Sequence, residues 1–187
     1  MRTDRDKYTS NTFYNTAFFL ALFCGALLGS VMSANIPREH FTSLSENIYT
    51  SFYKIELTSE SASRFFAAFL KNSRIVLLFW FLGFLYGGRV FRALIIGLLG
   101  VYISYGISIF VIHFGMGGLF LSIPTILINN ISLIIVCFWI SIKWQYQRSL
   151  HELLTILFIS LAAASLISLY EIYLSPPLSL LIFNALK

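Results

Sequence analysis

Long apolar runs, separated by short stretches that hold most of the charge, constrain this chain more than any other feature. Of its 187 residues, 58% are hydrophobic and only 11% are charged, whereas soluble domains carry about 25% charged residues. So little polar surface could not cover a soluble fold, and a transmembrane α-helix needs about 20 mostly apolar residues. The sequence therefore predicts an all-α integral membrane protein that forms a single membrane domain over residues 1–187.

The apolar runs predict about five transmembrane helices, at residues 13–34, 67–88, 93–113, 117–142 and 153–174. The segments outside them are a tail at 1–12, a loop at 35–66 and a second tail at 175–187. The first run exceeds the roughly 7–15 residues of a signal-peptide core. We therefore expect it to be an uncleaved anchor.

Glycine, proline and asparagine interrupt the start of the fourth span, which reads "FGMGGLFLSIPTILINN". Non-helical backbone at membrane depth is tolerated only where protein or water forms hydrogen bonds with its N–H and C=O groups. The stretch around Pro124 is thus either a re-entrant turn or the kinked start of the span. Asn129 and Asn130 either line a solute path or bond the carbonyls freed around Pro124. Pro176 and Pro177 are predicted to end the fifth span.

Basic residues set the predicted orientation. They concentrate near the N-terminus, at Arg89 and Arg92, and after residue 142. With five spans these segments share one side, which the positive-inside rule assigns to the cytoplasm. The N-terminus is then cytoplasmic, and the loop at 35–66 and the C-terminus lie outside. We interpret Arg89 and Arg92 as topology anchors; the alternative is that they bind lipid headgroups.

The second half of the outer loop has the pattern of an amphipathic helix. Glu60 and Arg64 fall on one helical face, and Phe65 and Phe66 on the other. Such a helix lies in the membrane interface or extends the second span outward. Glu60 and Arg64 are candidate contacts for a partner on the outer side.

Two glycine pairs are candidates for helix packing. Gly25 and Gly29, and likewise Gly83 and Gly87, are four residues apart and would share a helix face. Glycines at this spacing let helix backbones approach closely. The contact would be either within the chain or with a second copy in a homo-oligomer.

The sequence contains no recognisable catalytic motif. It has no G-x-S-x-G, no H-E-x-x-H and no phosphate-binding glycine loop. Cys24 and Cys137 lie in apolar runs without metal-ligand spacing. The net charge of +5 is scattered and forms no basic patch interleaved with aromatics. We therefore predict no catalytic residue, no cofactor, no metal and no nucleic-acid partner.

A single carboxylate, Glu171, interrupts the last apolar run. It lies about 27 Å along the fifth span from Leu153, at a rise of 1.5 Å per residue. That position corresponds to the outer headgroup region, where tyrosines such as Tyr170 and Tyr173 are favoured. The sequence predicts a hydrated acid that, with its two tyrosines, is a candidate partner contact rather than a proton relay.

The segment "AAASLISLYEIYLSP", residues 162–176, resembles the closing segment of the stage II sporulation protein M family. That family ends with small residues, a glutamate, an aromatic and Ser-Pro. The helix "FFAAFLKNSRIVLLFWFLG" and the layout of spans are similar along nearly the whole chain. In the broader family His and Glu often stand where this chain has Gly117 and Leu121.

The resemblance implies a non-catalytic scaffold in the mother-cell membrane of an endospore-forming bacterium. It would recruit two peptidoglycan hydrolases, stage II sporulation proteins D and P, which thin the septal wall during forespore engulfment. Besides the lipid bilayer, these hydrolases are the expected partners. A small-solute channel or permease component is the alternative, because broken helices with polar residues near the membrane centre suit a transporter.

Overall fold

A computed structural model describes residues 4–35, 61–85, 87–146 and 149–185. These residues are helical apart from short turns and include no strand, which confirms the all-α prediction. The elements are α1 (Asp4–Ala34), α2 (Ser61–Phe81), α3 (Gly88–Phe114), α4 (Met116–Ser122), the π-helical segment π1 (Ile123–Leu127), α5 (Ile128–Tyr146), α6 (Leu150–Leu169), the π-helical segment π2 (Tyr170–Leu174) and α7 (Ser175–Ala185).

Several of these helices have the length and composition of membrane spans. In the described ranges, four segments qualify: Thr16–Ala34, Gly88–Phe114, Met116–Trp144 and Leu150–Ala185. Helix α2 is not among them, because Arg64, Lys71 and Arg74 lie within its 21 residues. Large apolar side chains on the outer faces, such as Leu98 and Phe158, are exposed, as lipid contact requires. This is the pattern of a multi-pass membrane protein.

The most extensive helix contact joins α1 and α3, and glycines lie on both sides of it. Gly25 lies against the backbone of Gly97, and a Cβ atom there would collide with the Gly97 carbonyl oxygen. A Cβ atom on Gly100 would lie 2.6 Å from the carbonyl oxygen of Leu22. A Cβ atom on Gly29 would likewise collide with the carbonyl oxygen of Val101. The first predicted glycine pair therefore packs within the chain, where only glycine permits this backbone approach.

The second glycine pair does not lie on a helix, and that prediction is wrong. Helix α2 ends at Phe81, so the helix stops short of the predicted span boundary at residue 88. Gly83 belongs to the following turn, where it lies against Trp144 and Arg92. Gly87 has a φ of 85°, in the left-handed region that glycine adopts without a steric penalty. The glycines turn the chain from α2 into α3.

The prediction that Pro176 and Pro177 end the last helix is also wrong, because α7 continues to Ala185. The turn before these prolines is π-helical, and the Ser175 N–H donates to Tyr170, five residues back. Proline lacks an N–H, and its ring crowds the carbonyl of the preceding helical turn. The wider π turn relieves this crowding, so the helix continues past the prolines. Residues 175–185 are therefore helical rather than a separate tail.

The buried core lies where α2, α3, α5 and α6 meet, with one side chain from α1. Its members include Phe18, Val76, Phe79, Leu133, Cys137, Ile140 and Ile156. Two tryptophans close one end of this bundle. Trp80 Nε1 donates to the Leu153 carbonyl and Trp144 Nε1 to the Gly83 carbonyl, both at 3.0 Å. We call this the tryptophan end.

Candidate functional site

Glu171 is paired rather than isolated. Its carboxylate forms a salt bridge with the ammonium group of Lys71 on α2. Its second oxygen accepts a hydrogen bond from Asn72 Nδ2 at 3.3 Å, and the same nitrogen lies 3.0 Å from the Ser168 hydroxyl. We call these four residues the Lys71–Glu171 cluster; it connects the middle of α2 to the end of α6 and to π2.

The burial of the cluster changes the interpretation of its acid. Only 24% of the Glu171 side chain is exposed, against 53% for Lys71. Asn72 is 1% exposed, and Ser168 is fully buried. Glu171 thus differs from the predicted hydrated acid, because its side chain is mostly buried and α2 supplies both a counter-ion and an amide donor.

A second polar contact lies beside the cluster, at the carbonyl oxygen of Pro124. The Ser175 hydroxyl donates to this oxygen at 2.8 Å and the Tyr170 hydroxyl at 3.3 Å. In an α-helix that oxygen would accept from the Ile128 N–H, but this N–H donates to Ile123 instead. The side chains of Tyr170 and Ser175 therefore donate to the Pro124 carbonyl, whose usual helical donor is bonded to Ile123.

Two π-helical segments meet at this point. π-Helix accounts for well under 1% of residues in globular proteins, and its single turns are frequent at functional sites. Glu171 and Tyr170 belong to π2, and Pro124 belongs to π1. The Lys71–Glu171 cluster and the Pro124 carbonyl together form the candidate functional site.

The asparagines near π1 have different surroundings. Asn130 Nδ2 donates to the Ile126 carbonyl at 2.7 Å, within the broken segment. Asn130 thus bonds a carbonyl two residues after Pro124, whereas the Pro124 carbonyl itself is bonded from π2 and α7. Asn129 is 5% exposed, and its Oδ1 has no hydrogen-bond partner in the part of the chain that the structure describes.

The other predicted partner contacts lie around the site rather than in it. Tyr173 is on π2 and half exposed. Arg64 is partly buried on α2, about two turns before Lys71. Glu60 lies outside the described residues. The candidate site thus includes Tyr170 and Glu171, whereas Tyr173 follows on the same π2 segment and Arg64 lies about two turns away along α2.

Lys71, Asn72 and Ser175 were not predicted as site residues. One signal could have indicated Lys71, since an ionisable group within an apolar helix usually pairs with another. Lys71 and Asn72 interrupt the apolar sequence of α2 in "FFAAFLKNSRIVLLFWF". No sequence signal indicates the contact of Ser175 with Pro124, because it depends on how α7 packs against π1.

Arg92, which the sequence predicts to be a topology anchor, is a buried residue in the structure. It is 2% exposed, and its Nε donates to the Phe79 carbonyl at 3.1 Å. The guanidinium carbon lies 5.6 Å from the centre of the Phe79 ring and 5.3 Å from that of Trp144. Arg89, three residues earlier, is exposed. Nothing in the sequence separates the two, because burial of Arg92 depends on side chains from α2 and α5.

The chemistry available at the site is ion pairing and hydrogen bonding. It has one carboxylate, one ammonium, one amide and several hydroxyls. Among the residues that the structure describes, no three His, Cys, Asp or Glu side chains form a group able to hold a metal ion. Such a set of groups suits helix association and recognition of a polar partner.

A scan of protein-family models, a search of curated proteins and a search of solved structures each gave no match to this chain.

Proposed function

We propose that this chain is a non-catalytic membrane scaffold that recruits peptidoglycan hydrolases, stage II sporulation proteins D and P, for septal wall thinning during forespore engulfment. The proposal starts from the resemblance of residues 162–176 to the closing segment of stage II sporulation protein M. One structural observation supports it. The glutamate of that segment, Glu171, is held by Lys71 and Asn72, so the segment is fixed to a neighbouring helix. A scaffold needs such a fixed surface.

The proposal includes five spans, with α2 as the second. An ionisable residue within a spanning helix usually pairs with another. Lys71 pairs with Glu171, which the sequence places near the outer headgroups. The N-terminus would then be cytoplasmic, and the loop at 35–66 and the C-terminus would lie outside the mother-cell membrane. Arg64 and Phe66 lie on α2 itself, which favours an amphipathic outer extension of that span over a separate interfacial helix.

A pull-down tests the proposal. Tagged chain would be purified in mild detergent from sporulating cells, and bound proteins identified by mass spectrometry. Wild type, Glu171→Gln and the exchange Lys71→Glu with Glu171→Lys would be compared. Lys143→Gln is a matched control, because Lys143 is exposed near the tryptophan end. Equal amounts of folded protein would be confirmed by size-exclusion chromatography.

We expect both hydrolases with wild type and with Lys143→Gln, and reduced recovery with Glu171→Gln. Recovery restored by the charge exchange means that Glu171 acts by fixing the helices; loss in both variants means that it contacts the partner directly. If wild type recovers neither hydrolase, the scaffold proposal is wrong.

A small-solute channel or permease component is the second candidate, favoured by Asn129. Its buried Oδ1 lacks a partner among the described residues, and most buried polar atoms in proteins bond either protein groups or ordered water. Water or a solute bonded to this oxygen would fit a transport path. Flux through liposomes would be measured for wild type and for Asn129→Leu with Asn130→Leu. Loss of a wild-type flux supports transport, whereas wild-type flux no greater than that of empty liposomes excludes it for the solutes tried.

A further inference from the structure

A cavity of about 490 Å³ lies at the tryptophan end, beside the first turn of α3. Its volume is within the roughly 300–1,000 Å³ that is usual for ligand pockets. Two arginines, one tryptophan and three aliphatic residues line it, namely Arg89, Arg92, Trp144, Leu82, Leu85 and Val90. It is thus cationic on one part of its wall and apolar on another.

The guanidinium of Arg92, which lines the cavity, is fixed in place by its neighbours. Arg92 is 2% exposed, with Nε bonded to the Phe79 carbonyl and its guanidinium in contact with the rings of Phe79 and Trp144. Contact with aromatic faces restrains the guanidinium plane. An exposed arginine would lose side-chain entropy on binding a ligand, whereas Arg92 is already ordered.

The glycines of the turn determine the shape of this cavity. A Cβ atom on Gly83 would collide with both Trp144 and the Arg92 guanidinium. A Cβ atom on Gly88 would collide with the Leu82 carbonyl oxygen. The sequence "GFLYGG" therefore allows α2, α3 and Trp144 to approach closely around Arg92.

This arrangement is suited to an anionic phosphate. A guanidinium offers planar, paired N–H donors that match phosphate oxygens. The aliphatic part of the wall distinguishes a lipid from a free ion, since Leu82, Leu85 and Val90 offer an apolar surface to glycerol and the start of an acyl chain. Phe91 and Leu94, on the same helix, are exposed as lipid-facing residues would be.

We propose that this cavity binds the phosphate of an anionic phospholipid headgroup from the adjacent leaflet. Arg89 and Arg92 contact the phosphate oxygens, and the aliphatic wall holds the apolar part of the lipid. This inference does not depend on the proposed scaffold function.

Binding to purified full-length chain in neutral detergent tests the proposal. The probes are dioctanoyl phosphatidylglycerol, dioctanoyl phosphatidylcholine and inorganic phosphate, each titrated and followed by native mass spectrometry and calorimetry. Two variants at exposed lining positions preserve the core: Arg89→Gln removes one cation and Val90→Trp fills the cavity. Arg74→Gln is the matched control, since Arg74 is exposed on α2 and does not line the cavity.

We expect phosphatidylglycerol to bind more tightly than phosphatidylcholine. Arg89→Gln should weaken it about 3- to 5-fold, as for a partly exposed ionic contact, Val90→Trp should weaken it more, and Arg74→Gln should leave it unchanged. Equal affinity for the two lipids, or equal loss in Arg74→Gln and Arg89→Gln, would overturn the site. Arg89-dependent binding of inorganic phosphate as tight as that of the lipid would overturn the lipid assignment.

Discussion

The Ser175 hydroxyl donates to the carbonyl oxygen of Pro124 across 2.8 Å, and both residues are buried. This bond connects the last helical run of the chain to the broken start of α5. Each of the two runs contains a π turn with a proline in it or shortly after it, namely Pro124 within π1 and Pro176 after π2. The Ser175–Pro124 bond therefore joins the two π-helical regions.

Replacing Ser175 with alanine should destabilise the fold, because the Pro124 oxygen would lose its shorter hydrogen bond. Leaving a buried acceptor poorly satisfied costs about 1–3 kcal/mol. Unfolding in detergent, followed by circular dichroism, would measure the change. Ser179→Ala is the control, since that buried hydroxyl donates to the Pro176 carbonyl within its own helix. Equal loss in both variants would contradict a role for the Ser175–Pro124 bond.

The Lys71–Glu171 pair should show energetic coupling in a double-mutant cycle with Lys71→Met and Glu171→Gln. Lys71 is about half exposed, and solvent screening limits such pairs to about 1 kcal/mol or less. We expect each single variant to lose stability and the double variant to lose less than their sum. Strict additivity of the free energies of unfolding would show that the pair contributes nothing.

Enlarging Gly25 should disrupt the contact of α1 with α3. A valine there would collide with the Gly97 backbone, which cannot move aside as a flexible side chain can. We expect Gly25→Val to destabilise by about 1–3 kcal/mol, as overpacking usually does. Cys24→Val changes the neighbouring exposed residue and should be close to neutral. Cysteines introduced on facing positions of α1 and α3 would cross-link less in Gly25→Val if the contact between these helices is disrupted.

The number of spans can be measured directly. If α2 crosses the membrane, five spans place the two termini on opposite sides; if it lies along the surface, four spans place them on the same side. Terminal epitope tags would be probed in intact and permeabilised spheroplasts. We expect the C-terminal tag to be accessible in intact spheroplasts and the N-terminal tag only after permeabilisation. Identical accessibility of both tags would rule out the five-span arrangement.

Composition predicts the helical membrane fold well, because an uncharged apolar run of about 20 residues matches the length of helix that crosses a bilayer. The predicted starts and ends of α1 and α3 agree with the helices within about ten residues. The errors occur where glycine and proline change the local path. Gly83 follows the end of a helix instead of packing within it, and Pro176 follows a π turn that lets the helix continue.

The candidate site was less predictable, since its contacts join distant parts of the chain. Glu171 was identified as unusual, but its partner Lys71 lies 100 residues away. Only packing of α2 against α6 brings them together. Arg92 shows the same limitation, because its burial requires Phe79 and Trp144 from two other helices.

The glycine-lined contact of α1 with α3 also bears on biogenesis. Helix α2 is synthesised between these two partners, so α1 leaves the ribosome well before α3 exists. Until then, the small-residue face around Gly25 must rest against lipid or the insertion machinery. In nascent chains truncated before residue 88, α1 lacks its partner α3, and we expect membrane chaperones and proteases to recognise it. Correct assembly would thus begin only when α3 has entered the bilayer.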